Sequence, residues 1–180
     1  MLVPQVPLPV VVVIDVVAWG VFHATTGYLA HRLGPDRLAR DGWVLRRRGF
    51  EDPRWYRRWL RIHRWKDRLP EAGDLFAGGV SKRELVSPDD DGLEAFVRET
   101  RRAELGHWWA MACSPLFLLW NPPLASVLLV AYGVLVNLPF IVIQRYNRLR
   151  IEALLTRRRA RPAGHAEPRT PGREGHDEGP

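Results

Sequence analysis

The sequence predicts an all-α integral membrane protein with three transmembrane helices and a central cytoplasmic segment that contains interfacial helices. Two apolar stretches carry this prediction, since charge nearly vanishes from Leu2 to Ala30 and from Leu105 to Ile143. Between and after them charge is dense, and the 180-residue chain has a formal net charge of +7. Beside stretches long enough to cross a bilayer, such a basic balance points to anionic headgroups or an anionic substrate rather than to nucleic acid. The expected organisation is an N-terminal transmembrane anchor (residues 1–30), a basic cytoplasmic and interfacial segment (31–104), a transmembrane hairpin with a polar C-terminal flank (105–155) and a disordered basic tail (156–180).

The first element, from about Leu8 to Leu29, has the length of a spanning helix, although Val10-Val11-Val12-Val13-Ile14 would also suit a buried strand. It lacks the basic n-region and the Ala-x-Ala cleavage site of a secretory signal, which predicts a retained anchor. Asp15 is costly in lipid, so it must lie at the interface, face a protein partner or be protonated. His23 lies two turns on, on roughly the same face. The chain then turns basic, ending in Arg46-Arg47-Arg48, which marks the cytoplasmic side and places the N-terminus outside.

Asp52-Pro53 has the form of an N-cap and first helical residue, predicting a helix through Arg64 with Trp55, Trp59 and Ile62 on one face. Arg54, Arg57, Arg58 and Arg61 border that face, which suits either a helix lying among headgroups or an ordinary core-facing stripe. Leu69-Pro70-Glu71-Ala72-Gly73 ends the helix, Ser81 through Glu84 has capping-box spacing, and Ser87-Pro88 with Asp90 announces the next helix. There Leu93, Phe96, Val97 and Thr100 form the apolar stripe. The region from Leu105 to Ile143 is too long for one crossing, and Asn121-Pro122-Pro123 divides it into a hairpin of helices, Gly106 to Trp120 and Leu124 to Ile143. Arginines on both flanks place the C-terminus in the cytoplasm, giving a multi-pass bacterial-type cell-membrane protein.

Three polar patches, distant in sequence, converge on the cytoplasmic interface under this topology: His63 to Asp67, Glu99 to Trp108, and Gln144 to Arg148. Glu104 and His107, three apart, share a helical face, and a carboxylate beside an imidazole is the arrangement of a general base. An interfacial hydrogen-bonded pair explains the same spacing. His63 and Asp67 offer a weaker pair, one residue short of the His-x4-Asp spacing of glycerolipid acyltransferases. Lys66, Arg145 and Arg148 suit a phosphate, a pyrophosphate or a coenzyme A nucleotide, or else headgroup anchoring. The single cysteine, Cys113, excludes an intramolecular disulfide and a cysteine-based metal cluster, and no metal site is expected. Phosphate loops, serine elbows and HExxH helices are also missing from the sequence.

The runs Trp65-Lys66-Asp67-Arg68-Leu69-Pro70, Glu99-Thr100-Arg101-Arg102-Ala103-Glu104-Leu105-Gly106-His107-Trp108, and Asn137-Leu138-Pro139 leading into Gln144-Arg145-Tyr146-Asn147-Arg148 resemble the glycosyl-4,4'-diaponeurosporenoate acyltransferase family. The resemblance covers residues 8 to about 155 and departs from the family at Leu149, where proline is frequent. It implies a membrane enzyme that esterifies a fatty acyl chain onto the sugar of a glycosylated carotenoid. Trp65, Lys66, Arg102, Trp108, Gln144, Arg145, Tyr146, Asn147 and Arg148 are then the substrate-binding candidates, beside His107 and Glu104 as catalytic ones. In that scheme His107, oriented by Glu104, takes the sugar hydroxyl proton, Arg145 or Asn147 stabilises the oxyanion, and Lys66 and Arg148 hold donor phosphates. No tightly bound cofactor is expected, with acyl-CoA or another acyl thioester as cosubstrate. The expected partners are membrane lipid, a glycosylated carotenoid or related lipid-linked acceptor, and other membrane biosynthetic enzymes, with no nucleic acid. A noncatalytic membrane scaffold for such enzymes, and an enzyme on another polyprenyl or glycolipid substrate, fit the same residues.

Overall fold

A computed structural model describes residues 6–69 and 89–160. Within them the chain forms five α-helices joined by short 3-10 turns: α1 (Leu8–His31), α2 (Pro35–Leu38), α3 (Pro53–Arg58), α4 (Asp90–Cys113) and α5 (Pro123–Arg159). The Ser81 to Glu84 capping box and the tail beyond Ala160 lie outside the described residues.

The expectation of three transmembrane helices is corrected. Among the described residues only α1 and α5 are long and apolar enough to cross a membrane. The expected first arm of the hairpin, Gly106 to Trp120, is instead the apolar end of a helix whose first half is charged, followed by a 3-10 turn at Ser114–Leu119. Pro115 is the physical reason: it has no N–H for the carbonyl four residues back, so the α-helical ladder stops at Cys113. The second arm is longer than expected, because Gln144 to Arg159 continue α5 in one piece.

Helix α4 packs against both α1 and α5. Asn121, just before α5, meets Asp15 near the start of α1, while Arg145 toward the end of α5 meets Val44, which follows α1. Helices α1 and α5 therefore run in the same direction, and α4 with its 3-10 turn leads back between those ends. Two small residues set the spacing. A methyl group on Gly106 would rest 3.7 Å from the Ala30 Cβ, and one on Gly133 would lie 2.6 Å from Trp19 Cη2 and 3.1 Å from the Ser114 Cβ. Trp19 is thus wedged against the α5 backbone, with Phe22, Phe117 and Tyr132 around its ring.

Asp15 accepts hydrogen bonds of 2.8 Å from both Trp120 Nε1 and Asn121 Nδ2. Of the three sequence alternatives, the facing protein partner is what the structure provides. His23 does not join it, since its Nδ1 lies 2.9 Å from the Trp19 carbonyl one turn back.

The helix expected through Arg64 ends at Arg58. Asp52 caps it by accepting from the Trp55 N–H at 2.7 Å, but Arg61 adopts a left-handed backbone (φ 47°) that turns the chain into a 3-10 segment at Ile62–Arg64. The expected stripe splits as a result: Ile62 is buried, Trp55 is half-buried and Trp59 is exposed. Tyr56 takes the inner position, packing with Ile62, Ile143, Tyr146 and Leu149. The α4 stripe follows the sequence more closely, with Leu93, Val97 and Thr100 buried and the first two packed against Leu155. Its cap is Asp89, whose carboxylate accepts from the Gly92 N–H at 2.8 Å.

Candidate functional site

Glu104 is completely buried between α4 and α5. Its Oε1 accepts from Arg145 Nε at 2.9 Å and lies 2.7 Å from Arg145 Nη2, and its Oε2 accepts from Arg148 Nη1 at 2.7 Å. Trp108 Nε1, one turn on, adds a fourth approach at 3.3 Å. The i, i+3 and i, i+4 geometry of helices explains the set: Arg145 and Arg148 share a face of α5, and Glu104 and Trp108 a face of α4.

A second carboxylate completes the cluster, one that sequence reasoning did not single out. Glu51 accepts from Arg145 Nη1 at 2.9 Å, from the Tyr56 hydroxyl at 2.8 Å and from the Arg48 N–H at 2.6 Å. Burial raises its pKa, but these three donors and the Arg145 charge outweigh that and hold it below the usual carboxylate range. Arg145 Nη2 also donates to the Val44 carbonyl at 2.6 Å, and Arg148 Nη2 to the Leu45 carbonyl at 2.8 Å. Two carboxylates thus balance two guanidiniums, and the cluster ties the loop after α2 to α4 and α5. The signal available in the sequence was Glu51 itself, an acid three residues after a run of three arginines.

With its oxygens taken by arginines, Glu104 does not orient His107. That role falls to Asn137. Its Nδ2 donates to the Gly133 carbonyl at 2.9 Å, which turns its Oδ1 toward His107 Nδ1, 3.0 Å away. An amide oxygen can only accept, so Nδ1 carries the proton and Nε2 keeps its lone pair. No described residue hydrogen-bonds to that Nε2. The imidazole lies flat on Phe140, with centroids 4.9 Å apart and planes 9° from parallel. Burial pushes its pKa below the ordinary histidine value, outweighing the Asn137 bond. An asparagine within an apolar span is itself a functional signal, and the sequence contained it in the Asn137-Leu138-Pro139 run.

Gln144 lies seven residues after Asn137, on the same face of α5, and its side chain is buried without a hydrogen bond to any described residue. Asn147 is half-buried and likewise has none. The other expected site residues are dispersed. Tyr146 is core, with the Arg150 guanidinium over its ring at 5.5 Å. Arg102 pairs with Glu99 and reaches the Leu33 carbonyl at 3.4 Å. Trp65 packs at the edge of the Tyr56 cluster and donates to the Leu60 carbonyl, and Lys66 pairs with its neighbour Asp67. Asp67 therefore does not meet His63, which is exposed. No group of three or more candidate metal ligands occurs among the described residues.

Residues 41–157 match the family model described as glycosyl-4,4'-diaponeurosporenoate acyltransferase. The matched span holds Glu51, Glu104, His107, Asn137, Arg145 and Arg148, and leaves α1 outside. Curated proteins of that description from Staphylococcus aureus are similar to the chain. The one from strain USA300 is 28% identical over 139 residues, covering 76% of this chain and 83% of the relative. The one from the bovine strain RF122 / ET3-1 is 30% identical over 102 residues, covering 57% and 61%. No solved structure matches the chain.

Proposed function

Because the chain belongs to the glycosyl-4,4'-diaponeurosporenoate acyltransferase family, we propose that it is a membrane O-acyltransferase that moves a fatty acyl group from an acyl thioester to a sugar hydroxyl of a glycosylated carotenoid or related glycolipid, with His107 as general base. The family name supports the reaction class. The observation that carries the residue assignment is the Asn137 bond to His107 Nδ1, which leaves Nε2 unprotonated, with no hydrogen bond to it from any described residue.

In this reading Nε2 takes the proton of the sugar hydroxyl as its oxygen attacks the thioester carbonyl. The tetrahedral oxyanion collapses, the C–S bond breaks, and the imidazolium returns its proton to the departing thiolate. Gln144, with an unengaged amide on the same face of α5, donates to the oxyanion. Arg145 is not available for that role, because its guanidinium nitrogens are engaged by Glu104, Glu51 and Val44. Arg148 is likewise enclosed and cannot hold donor phosphates without leaving Glu104. The cluster is the frame that fixes α4 against α5, and so fixes His107 against Asn137.

Helices α1 and α5 support a membrane setting, and the arginine-rich residues 40–68 and the arginines that end α5 support, by their charge, a place on the cytoplasmic side. Acceptor and donor then meet at the interface without their chains leaving lipid. A noncatalytic scaffold would use the saturated ion cluster equally well, but would have no use for a tautomer-fixed imidazole with an open nitrogen. Purified full chain given palmitoyl-CoA and the glycosylated carotenoid should form the ester, and His107→Ala should abolish it while the fold is kept. Undiminished transfer by that variant would remove the assignment.

A further inference from the structure

Replacing the expected α-helix by a 3-10 turn has a geometric consequence beside α1. In a 3-10 helix residues three apart eclipse one another, so Phe117 and Trp120 form one row and Leu116 and Leu119 another. Phe117 faces inward, fully buried against Trp19, while Trp120, which ends the turn, borders the groove. The second row stands out from a backbone thinner than an α-helix. Opposite it α1 presents Val13, Val17 and Val21, with Ala18 as the smallest side chain of that face. Between the two is an open groove of about 420 Å³.

Every side chain in its lining is aliphatic or aromatic. The one polar atom among them, Trp120 Nε1, is already donating to Asp15. Nothing there can recognise a headgroup, a sugar or water, so the occupant is hydrocarbon. From Val13 to Phe22 the groove follows α1 for about 14 Å, taking about 1.5 Å per residue. Its inner end, at Val21 and Phe22, borders the turn that carries His23. Trp19, on which Phe22 and His23 both pack, rests on Gly133, and the Gly133 carbonyl holds the amide of Asn137. A single side-chain layer thus links the inner end of the groove to the His107 pair.

We propose that this groove seats the fatty acyl chain of the donor thioester, with the carbonyl end toward Phe22 and the methyl end toward Val13. The assignment rests on the acyl-transfer reading and adds to it α1, which lies outside the matched family span. The groove then acts as a ruler for chain length.

The full chain in phosphatidylcholine nanodiscs, irradiated with palmitoyl-CoA bearing a terminal diazirine, should be labelled between residues 13 and 22 and between 116 and 120. Unlabelled palmitoyl-CoA should compete, and His107→Ala should retain the label. Labelling elsewhere, or labelling of the groove by diazirine phosphatidylcholine that palmitoyl-CoA does not displace, would overturn the proposal. In turnover assays Ala18→Phe, and independently Val17→Trp on the same wall, should shift donor preference to shorter chains. Each methylene excluded should cost about four-fold in kcat/KM. An unchanged chain-length profile in folded variants with full turnover would also overturn it. Competed groove labelling without transfer to any acceptor would leave the groove standing and remove the acyl-transfer reading instead.

Discussion

Replacing Glu104 by Gln keeps the shape of the side chain and removes its charge, and the structure fixes what that does. Glu104 is wholly buried and lies within 2.9 Å of three guanidinium nitrogens. Its charge and that of Glu51 balance Arg145 and Arg148, so the variant leaves one buried positive charge uncompensated. Breaking a buried pair from one side costs about 3–5 kcal/mol, which for a chain of this size is a fall in Tm on the order of 10 °C. Thermal unfolding of the detergent-solubilised protein, followed by circular dichroism, measures this. Glu104→Leu with Arg148→Met is the control, because it leaves Glu51 and Arg145 as a neutral pair 2.9 Å apart. That double variant should be more stable than either single one. His107→Ala should cost less, about 1–3 kcal/mol, because it leaves the buried Asn137 Oδ1 unpaired. A Glu104→Gln protein that unfolds with the wild type, yet has lost turnover, would refute the structural role and return Glu104 to the chemistry.

Asn137→Asp puts a negative charge 3.0 Å from His107 Nδ1 and favours the imidazolium. The wild-type base is held below the ordinary histidine pKa by burial, so its activity persists to mildly acidic pH. In the variant the acid limb of kcat/KM against pH should move to higher pH, and an unmoved limb would show that another group is titrating. Gly133→Ala drives a methyl group into Trp19 and Ser114, at about 1–3 kcal/mol for overpacking, readable as a lower Tm. Asp15→Ala removes the shared acceptor of Trp120 and Asn121. Loss of about 1–3 kcal/mol is expected, and an Asp15→Asn protein, which keeps an acceptor oxygen, should recover part of it in the same measurement.

What the sequence made legible follows from where the deciding force was local. The cap at Asp52, the stripe of Leu93 and Val97 and the apolar length of α1 and α5 are set within a turn or two, and periodicity exposes them. The short α3 was not legible, because the left-handed Arg61 is imposed by burial of Ile62 and Tyr56 against α5, a contact distant in sequence. The spanning helix expected at Gly106 to Trp120 is cut short by a local signal, Pro115, set within an apolar run. At the site, spacing correctly placed Glu104 and His107 on neighbouring turns but not which partner each would take. The strongest unpaired charges nearby, Arg145 and Arg148, claimed the carboxylate, and the imidazole was left to the one amide that α5 carries in its apolar half.

The most direct test of the central claim is the pH dependence of acyl transfer by purified full-length protein, run with the wild type, His107→Ala and Asn137→Ala. The account predicts a wild-type acid limb below the ordinary histidine pKa, loss of transfer with His107→Ala, and a large fall in kcat at little-changed KM with Asn137→Ala, all in folded proteins. Transfer that survives His107→Ala with the same acid limb would contradict it.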